Sequence, residues 1–210
     1  MTPQAISASV NQVPPLQPWV APDPTTLRTT PSPRVLALEA MNNTQLEKVF
    51  LQGSMPNLAA LVGWEFRGMN VPGWARLAGI KKFVKGFFDA GGGIVMGYNC
   101  PVAQNGLTES WNFLPSAFAP KRFGFYQVAP VDAASKENKY LHAVLLNYGR
   151  GGNPKLDPSA GLRDYLVQVD ADNPDLYLGK AFYAVGPARI ATNFFILERL
   201  GVGVHSDPRR

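Results

Sequence analysis

Two stretches of sequence decide the fold: LVGWEFRG at residues 61–68 and NFFILER at residues 193–199. The first reads as a strand built on a Gly-Trp pair, and the second as an aromatic strand that ends in Arg199. Between them, alternating segments are separated by Gly, Pro and Asn, which is typical of short antiparallel strands joined by turns. We therefore predict a closed antiparallel barrel whose base is closed by Arg199 stacked near the Trp64 indole. Small barrels of this kind usually hold one small ligand.

The composition fits one globular domain rich in turns. The chain has 210 residues, of which 46% are hydrophobic and 17% charged, and it carries 20 Gly and 19 Pro. So many turn-forming residues favour short strands over a helical bundle. The formal net charge of +5 is modest, and no stretch interleaves basic and aromatic residues as an RNA-recognition sheet does. We therefore predict no nucleic-acid partner.

The residue types needed for common cofactor and metal sites are scarce. The single Cys100 excludes an internal disulfide and a cysteine metal cage, and two His residues exclude a multi-histidine site. The chain lacks a dinucleotide-binding glycine fingerprint, a phosphate loop and a nucleophile elbow. Gly91-Gly92-Gly93 precedes a strand and reads as a turn. We expect no metal and no cofactor.

Composition along the chain divides it into three parts. Residues 1–33 are rich in Pro, Thr and Ser and read either as a disordered tail or as an extended arm or tether, in which case Trp19 and Val20 are the docking points. Residues 34–203 form the barrel domain with a preceding helix, and residues 204–210 form a polar tail. The arm offers a route to self-association. The helix is predicted over residues 34–52, with Thr44 and Glu47 as a capping box.

Segment 73–88 has a basic and an apolar side. Trp74, Leu77, Ile80 and Val84 share one face of a helix over residues 73–85, with basic residues off that face. Two Gly residues weaken this helix, so two short turns are the equal alternative. One interpretation is a helical lid that makes peripheral contact with an anionic membrane. The other is a plug packed across one barrel end, with its lysines in solvent.

Targeting features favour no single location. No apolar run approaches the ~20 residues of a membrane span, and the N-terminal sequence lacks the basic and apolar regions of a signal peptide. The low charge, the single Cys and the Pro/Thr/Ser-rich start slightly favour an exported or membrane-tethered bacterial protein over a cytoplasmic one.

Seven further segments read as strands or hairpin arms of a meander: 85–89, 94–99, 123–128, 140–148, 162–169, 176–185 and 189–199. Strict alternation in 140–148 puts Tyr140, His142 and Tyr148 on one face. If that face lines the lumen, His142 is a general base or a ligand partner, and otherwise it anchors the sheet. Arg163 beside Tyr165 suits an anionic ligand, although both Arg163 and Asp164 also fit a solvated rim. The predicted ligand-binding residues are Tyr98, Tyr126, Tyr140, His142, Tyr148, Arg163, Tyr165 and Asn193.

The order of these motifs resembles the calycins, the group of lipocalins and fatty-acid-binding proteins, and more closely the bacterial G-x-W-x-G barrel proteins. The resemblance spans roughly residues 45–200 and begins with Gly63-Trp64 after a helix. Its later elements are Lys85-Gly86-Phe87, Asn147-Tyr148-Gly149, Asp164-Tyr165 followed by Asp170, Leu178-Gly179, and Phe195 to Arg199. Gly63 and Trp64 are adjacent, whereas those families place one residue between them, and the last strand lacks the Arg-x-Tyr carboxylate clamp. The resemblance therefore implies the fold and no particular ligand.

These patterns predict a mainly β protein: an up-and-down calycin-like barrel with a helical lid, one N-terminal helix and a Pro-rich arm. The leading functional hypothesis is that the lumen carries a small hydrophobic or amphipathic molecule. A second hypothesis is a cofactor-free isomerase, cyclase or hydratase that uses the same cavity. A third is a structural or assembly protein whose barrel is filled by side chains.

Overall fold

A computed structural model describes residues 29–71, 73, 79–154 and 156–209. Its described residues form eight antiparallel strands that pair in chain order and close into a barrel by pairing of the first strand with the last. The strands are β1 Trp64–Asn70, β2 Lys82–Asp89, β3 Val95–Pro101, β4 Phe123–Pro130, β5 Val144–Asn147, β6 Leu162–Gln168, β7 Leu176–Val185 and β8 Ala188–Val202. The predicted up-and-down barrel is thus confirmed. Of the predicted arm over residues 1–33, residues 1–28 lie outside the described residues, and Pro33 begins α1.

The N-terminal helical region consists of more than the one predicted helix. Three short helices precede the barrel in the described part of the chain: α1 Pro33–Glu39, α2 Asn43–Gln52 and α3 Leu58–Leu61. The capping box of α2 is formed by Asn42 and Gln45, whose side chains each accept from the other's backbone N–H at 3.0 and 2.9 Å. The predicted box of Thr44 and Glu47 is therefore two residues out of place, because an Asn caps a helix as well as a Thr does.

The Gly-Trp pair turns the chain from α3 into the barrel. Gly63 has a φ of +80°, a conformation that L side chains rarely adopt. Its N–H donates to Phe87 O at 2.8 Å, and its carbonyl accepts from Gly203 N–H at 2.8 Å. Gly63 is therefore tied to both strands that flank β1 before the Trp64 side chain enters the interior.

The predicted lid helix over residues 73–85 is wrong in its second half. Residues 74–78 lie outside the described part of the chain, but Lys82–Asp89 is strand β2, paired on both sides. The amphipathic pattern predicted a helix wrongly because β2 is buried on both faces. One lysine lies on each face, Lys82 on the outer and Lys85 on the inner one, among apolar residues inside the protein. Both lysines are buried, not solvated as the plug interpretation required.

Two hydrophobic cores lie on the two sides of the barrel wall. The inner core contains aromatic rings from strands that lie near one another around the barrel, such as Phe66 of β1 with Phe87 of β2 at 5.5 Å and with Tyr177 of β7 at 5.4 Å. The outer core lies between the barrel and α1, α2 and the long loops, where Phe50 packs on Tyr140 and Phe194 at 5.0 and 6.3 Å. Because both wall faces are covered, most strands are buried on both sides.

Candidate functional site

The two ends of the lumen differ in how they are filled. At the end near Trp64, the Arg199 guanidinium lies 4.5 Å from the Trp64 ring centre and 4.9 Å from that of Phe66. Its Nε donates to Asp175 Oδ1 at 2.6 Å, and Nη2 donates to Ala60 O at 3.1 Å. We call this the closed end, because stacked rings and a hydrogen-bonded guanidinium occupy it.

The other end, which we call the mouth, contains a cavity of about 190 Å³. Four polar side chains form its floor, apolar side chains form its wall, and further polar groups lie at its rim. The floor is Lys85, Asn99, Tyr148 and Asp164; the wall and rim are Asn70, Ile80, Phe83, Phe123, Ser159, Leu162, Ala181, Thr192, Asn193 and Phe195. The cavity is thus mainly apolar with a few convergent polar groups, as is common for small-molecule sites.

An ion pair crosses the lumen beneath this cavity. Lys85 lies on β2 and Asp164 on β6, which are four strands apart in either direction around the barrel. The Lys85 Nζ is nevertheless 3.3 Å from Asp164 Oδ2. It also donates to Asn99 Oδ1 at 3.0 Å and to the Tyr148 hydroxyl, which in turn donates to Asp164 Oδ2 at 3.2 Å. The floor is therefore one connected network of charged and neutral groups.

Burial governs the protonation of this network. Lys85 is 2% exposed and Asp164 is 3% exposed. Loss of hydration lowers the pKa of Lys85 and raises the pKa of Asp164, and the attraction between the two groups opposes both shifts. Burial and the neighbouring Asp164 also raise the pKa of Tyr148 well above its ordinary value, so the phenol stays protonated.

Two polar atoms at the site have no partner among the described residues. Asp164 Oδ1 and Ser159 Oγ are buried and accept or donate no hydrogen bond within the described part of the chain. Buried polar atoms are satisfied in nearly all cases. Both residues border the cavity, so a molecule in the cavity is a source of the missing hydrogen bonds.

The structure brings three of the eight predicted ligand-binding residues to the lumen. Tyr126 and Tyr148 pack on each other in the inner core at 4.9 Å, and Asn193 lies at the cavity rim. Tyr126 stacks beneath the floor, where its ring centre is 4.6 Å from Lys85 Nζ. Its ring covers Gly97, where a side chain would clash at 2.3 Å.

The other five residues lie outside the wall, so their assignment to the lumen is wrong. Tyr98 covers Gly86 and donates to Glu65 Oε1 at 2.8 Å. Tyr140 packs on Phe50 of α2, and His142 Nε2 is 3.1 Å from Phe50 O, an anchoring contact. The last two belong to the outer side of β6: Arg163, 3.4 Å from Glu137 Oε1, and Tyr165, which donates to Glu137 O at 3.0 Å.

Two physical reasons explain these errors. Residues 140–143 form a turn in which Ala143 N–H donates to Tyr140 O at 3.1 Å, so β5 begins only at Val144 and the alternation does not extend back to His142. On β6 both faces are buried, so hydrophobicity does not indicate which face is inner. The charged Asp164 points inward and the aromatic Tyr165 outward, the reverse of the prediction.

Sequence reasoning also missed Lys85 and Asn99 as site residues. The signal for Lys85 was the alternation of Phe83, Lys85 and Phe87, which indicates one face of a strand once the helical interpretation is dropped. No signal pointed to Asn99, whose role depends on the pairing of β3 with β2 and on the bulge between β3 and β4.

A larger open groove of about 500 Å³ lies outside the barrel, between α2 and strands β7 and β8. Its main charged group, Lys180, donates to Glu47 Oε2 at 2.5 Å and to the Tyr140 hydroxyl at 2.8 Å. None of the described residues that line the groove has a buried side-chain polar atom without a partner, whereas the mouth has two, so the mouth cavity is the better candidate site.

The fold and the mouth define a class of protein, the closed eight-stranded antiparallel β-barrel with a polar-floored cavity at one end. Comparison with protein-family models, with curated proteins and with solved structures finds no match. Within the described residues, no cluster of three His, Cys, Asp or Glu side chains could hold a metal ion, and no helix is long and apolar enough to cross a membrane.

Proposed function

We propose that this barrel binds a small, mainly apolar molecule in the mouth cavity, with a hydrogen-bonding group of the molecule directed at the floor. The observation that carries the proposal is the buried Asp164, which borders an apolar-walled cavity and keeps one carboxylate oxygen without a partner among the described residues. A partly satisfied buried carboxylate costs stability, and a ligand that donates a hydrogen bond offsets that cost.

The cavity volume restricts the size of the ligand. About 190 Å³ is close to the roughly 150 Å³ cavity that accommodates benzene and below the roughly 300–1,000 Å³ typical of sites for drug-sized molecules. A single ring with one short polar substituent fits these dimensions. The wall residues Phe83, Phe123 and Phe195 supply ring faces and edges for such a molecule.

The network of the floor restricts the ligand's polar group. The three ammonium hydrogens of Lys85 have three acceptors, in Asn99, Tyr148 and Asp164, so the ammonium is not available to a carboxylate. The unpartnered Asp164 Oδ1 needs a donor. We therefore expect a hydroxyl or amine compound to bind more tightly than the corresponding carboxylate.

Filling the cavity tests the proposal. Ala181 lies on the cavity wall and is 6% exposed, so Ala181→Leu places a larger side chain in the space of the ligand. The matched control is Ala188→Leu, at the exposed start of β8. Binding of benzyl alcohol, benzylamine and benzoate to each full-length variant is measured by ligand-observed NMR, and native mass spectrometry of the purified wild type identifies any retained molecule.

We expect wild type and Ala188→Leu to bind benzyl alcohol or benzylamine and to prefer them to benzoate. Ala181→Leu weakens that binding about tenfold or more, which corresponds to about 1.4 kcal/mol. Equal binding to all three proteins, or no binding to any, contradicts the proposal and favours a filled structural barrel.

We also propose membership of the calycin group for this barrel. The support is its eight strands paired in chain order and the position of Trp64 at the closed end, covered by Arg199 from the last strand. An experimental structure superposable on lipocalins over all eight strands tests this assignment, and a different strand tilt or register contradicts it.

A further inference from the structure

Lys85 is 2% exposed and adjoins the cavity inside the barrel. It lies at the floor of the mouth cavity, and four ring centres surround its Nζ: Tyr126 at 4.6 Å, Tyr148 at 5.0 Å, Phe195 at 5.3 Å and Phe83 at 5.6 Å. Lys180 also has a carboxylate, a tyrosine hydroxyl and three rings beside it, but it lies partly exposed in the outer groove. A lysine that is desolvated in an apolar pocket is a common origin of a nucleophilic amine.

Next to the Lys85 Nζ, Asp164 supplies a proton acceptor and Tyr148 a proton donor. Asp164 Oδ2 is 3.3 Å from Lys85 Nζ and accepts from the Tyr148 hydroxyl at 3.2 Å. Asp164 Oδ1 has no partner among the described residues. A carboxylate adjacent to an amine accepts the proton that the amine must lose before it attacks, and a phenol donates to an oxygen that gains charge.

We propose that Lys85 captures small aldehydes or ketones in the mouth cavity as an imine, with Asp164 as the proton acceptor and Tyr148 as the proton donor. The proposal rests on the proposed function in one respect, because it uses the same cavity and the same size of ligand. It goes beyond that function by naming a carbonyl compound as the ligand class and a covalent bond as the mode of binding.

The reaction needs no reagent beyond the carbonyl compound. The Lys85 ammonium passes a proton to Asp164, and the freed electron pair forms a bond to the carbonyl carbon while the C=O π pair moves to oxygen. The oxygen takes a proton from the Tyr148 hydroxyl, which is restored from Asp164. The carbinolamine nitrogen passes a proton to Asp164, which returns it through Tyr148 to the hydroxyl group, and that group leaves as water. The resulting iminium passes its remaining proton to Asp164, which gives the neutral imine beside a protonated carboxyl group. Amine and carbonyl compound thus become imine and water.

Burial supports the first step. It lowers the pKa of Lys85 and raises the pKa of Asp164, and both shifts favour the pair in its neutral form, an amine beside a carboxylic acid.

Lys82 provides an internal control within the same strand. It is also buried, but its Nζ lies on the outer side of the wall, 3.8 Å from the Trp111 ring centre. Three backbone carbonyls, of Gly106, Glu109 and Ser110, accept from it at 3.0–3.1 Å, and it does not border the mouth cavity. The two lysines are therefore equally shielded from solvent, but only Lys85 of the two borders the cavity and lies beside a carboxylate.

Reductive trapping tests the proposal on the full-length wild-type protein. The protein is incubated with benzaldehyde and sodium cyanoborohydride, and peptide mapping by mass spectrometry locates each benzylated lysine. We expect Lys85 to be labelled at least about tenfold faster than any other lysine, because the cavity holds the aldehyde beside it and burial lowers its pKa. Excess benzyl alcohol slows this labelling, because it occupies the same cavity.

Two variants and a binding measurement separate the outcomes. Lys82→Met keeps the labelling of Lys85, and Lys85→Met, checked for folding by its thermal transition, loses it. Labelling spread over surface lysines with Lys85 unmodified overturns the imine. If benzyl alcohol and benzaldehyde bind by NMR but Lys85 is not trapped, the imine fails and the proposed function stands; if neither compound binds and nothing is trapped at Lys85, both fail.

Discussion

The closed end and the mouth each bury one cation among aromatic rings, but the first end is filled by side chains and the second contains a cavity. At the closed end, Arg199 lies over Trp64 and Phe66, and backbone carbonyls and Asp175 take its N–H groups. At the mouth, Lys85 lies among four rings, but a cavity of about 190 Å³ adjoins it and its carboxylate partner keeps one oxygen unpartnered within the described residues.

This difference in filling indicates that the closed end contributes more to the stability of the fold than the mouth does. A planar guanidinium suits stacking and several fixed hydrogen bonds at once, so Arg199 fills its end. A lysine is a point charge on a flexible chain whose pKa shifts readily on burial, and space beside such a group destabilises the fold unless a ligand occupies it. We therefore expect substitutions at the closed end to affect mainly folding and those at the mouth to affect mainly binding.

The largest effect is expected for Arg199→Ala. The variant uncovers Trp64, leaves the Ala60 carbonyl without its donor and removes the buried side chain that fills this end, and deletion of a large buried side chain typically costs about 3–5 kcal/mol. Arg34→Ala is the control, because its ion pair with Asp170 is solvated, with 44% of the Arg34 side chain exposed, and such pairs contribute about 0–1 kcal/mol. Urea unfolding measures both free energies of unfolding, and equal losses would show that the closed end is not the stabilising one.

The next effect compares two leucines on the inner face of β6. Leu166 is fully buried in the inner core, whereas Leu162 lies in the cavity wall. We expect Leu166→Ala to lower the free energy of unfolding by about 2–5 kcal/mol because it creates a new cavity. Leu162→Ala enlarges an existing one and costs about 1 kcal/mol, near the typical value for a point substitution. A larger loss of unfolding free energy for Leu162→Ala than for Leu166→Ala in urea would contradict the description of a filled closed end and a mouth with a cavity.

The sequence predicted the closed end of the barrel better than the mouth. The bounds of β7 and the turn at Gly91-Gly92-Gly93 follow from alternation and turn residues, and both are found in the structure. The floor of the mouth depends on which face of β2 and β6 is inner, and hydrophobicity does not decide this where both faces are buried. The contact between Lys85 and Asp164 joins strands on opposite sides of the barrel, so local sequence patterns contain no information about it.

A smaller effect is expected when the mouth ion pair is removed. Lys85→Met leaves Asp164 buried without its cation, but this carboxyl can take up a proton because burial already raises its pKa. The loss is therefore below that of Arg199→Ala, about 2 kcal/mol. The double variant Lys85→Met, Asp164→Leu recovers most of it, since replacing both partners of a buried pair by apolar groups is often neutral.

A double-mutant cycle in urea measures this recovery, and ligand-observed NMR with benzylamine follows binding in the same proteins. We expect a stable double variant that no longer binds. A double variant that is less stable than Lys85→Met alone would show that the mouth pair, like Arg199, is mainly structural.

The smallest effect is a difference in pH dependence between two carboxyls. Hydrogen bonds from Arg189 lower the pKa of Glu137, which lies outside the barrel wall. Its unfolded-state pKa is higher than its folded-state pKa, so its stabilisation is present above about pH 4.5 and is lost as the pH falls through the folded value. Desolvation raises the pKa of Asp164 instead, so the folded state binds the extra proton, and stability is lost as the pH rises from about 3.8 through the folded value.

The two carboxyls are compared through Glu137→Gln and Asp164→Asn. For each variant, the free energy of unfolding is measured in urea between pH 3 and pH 8 and subtracted from that of the wild type. The difference rises with pH for Glu137→Gln and falls with pH for Asp164→Asn. Because each subtraction removes the titration of the groups that do not contact the substituted carboxyl, two differences of the same sign would mean that Asp164 is held by its cation as firmly as Glu137 is. The mouth would then be an ordinary ion pair beside an empty space.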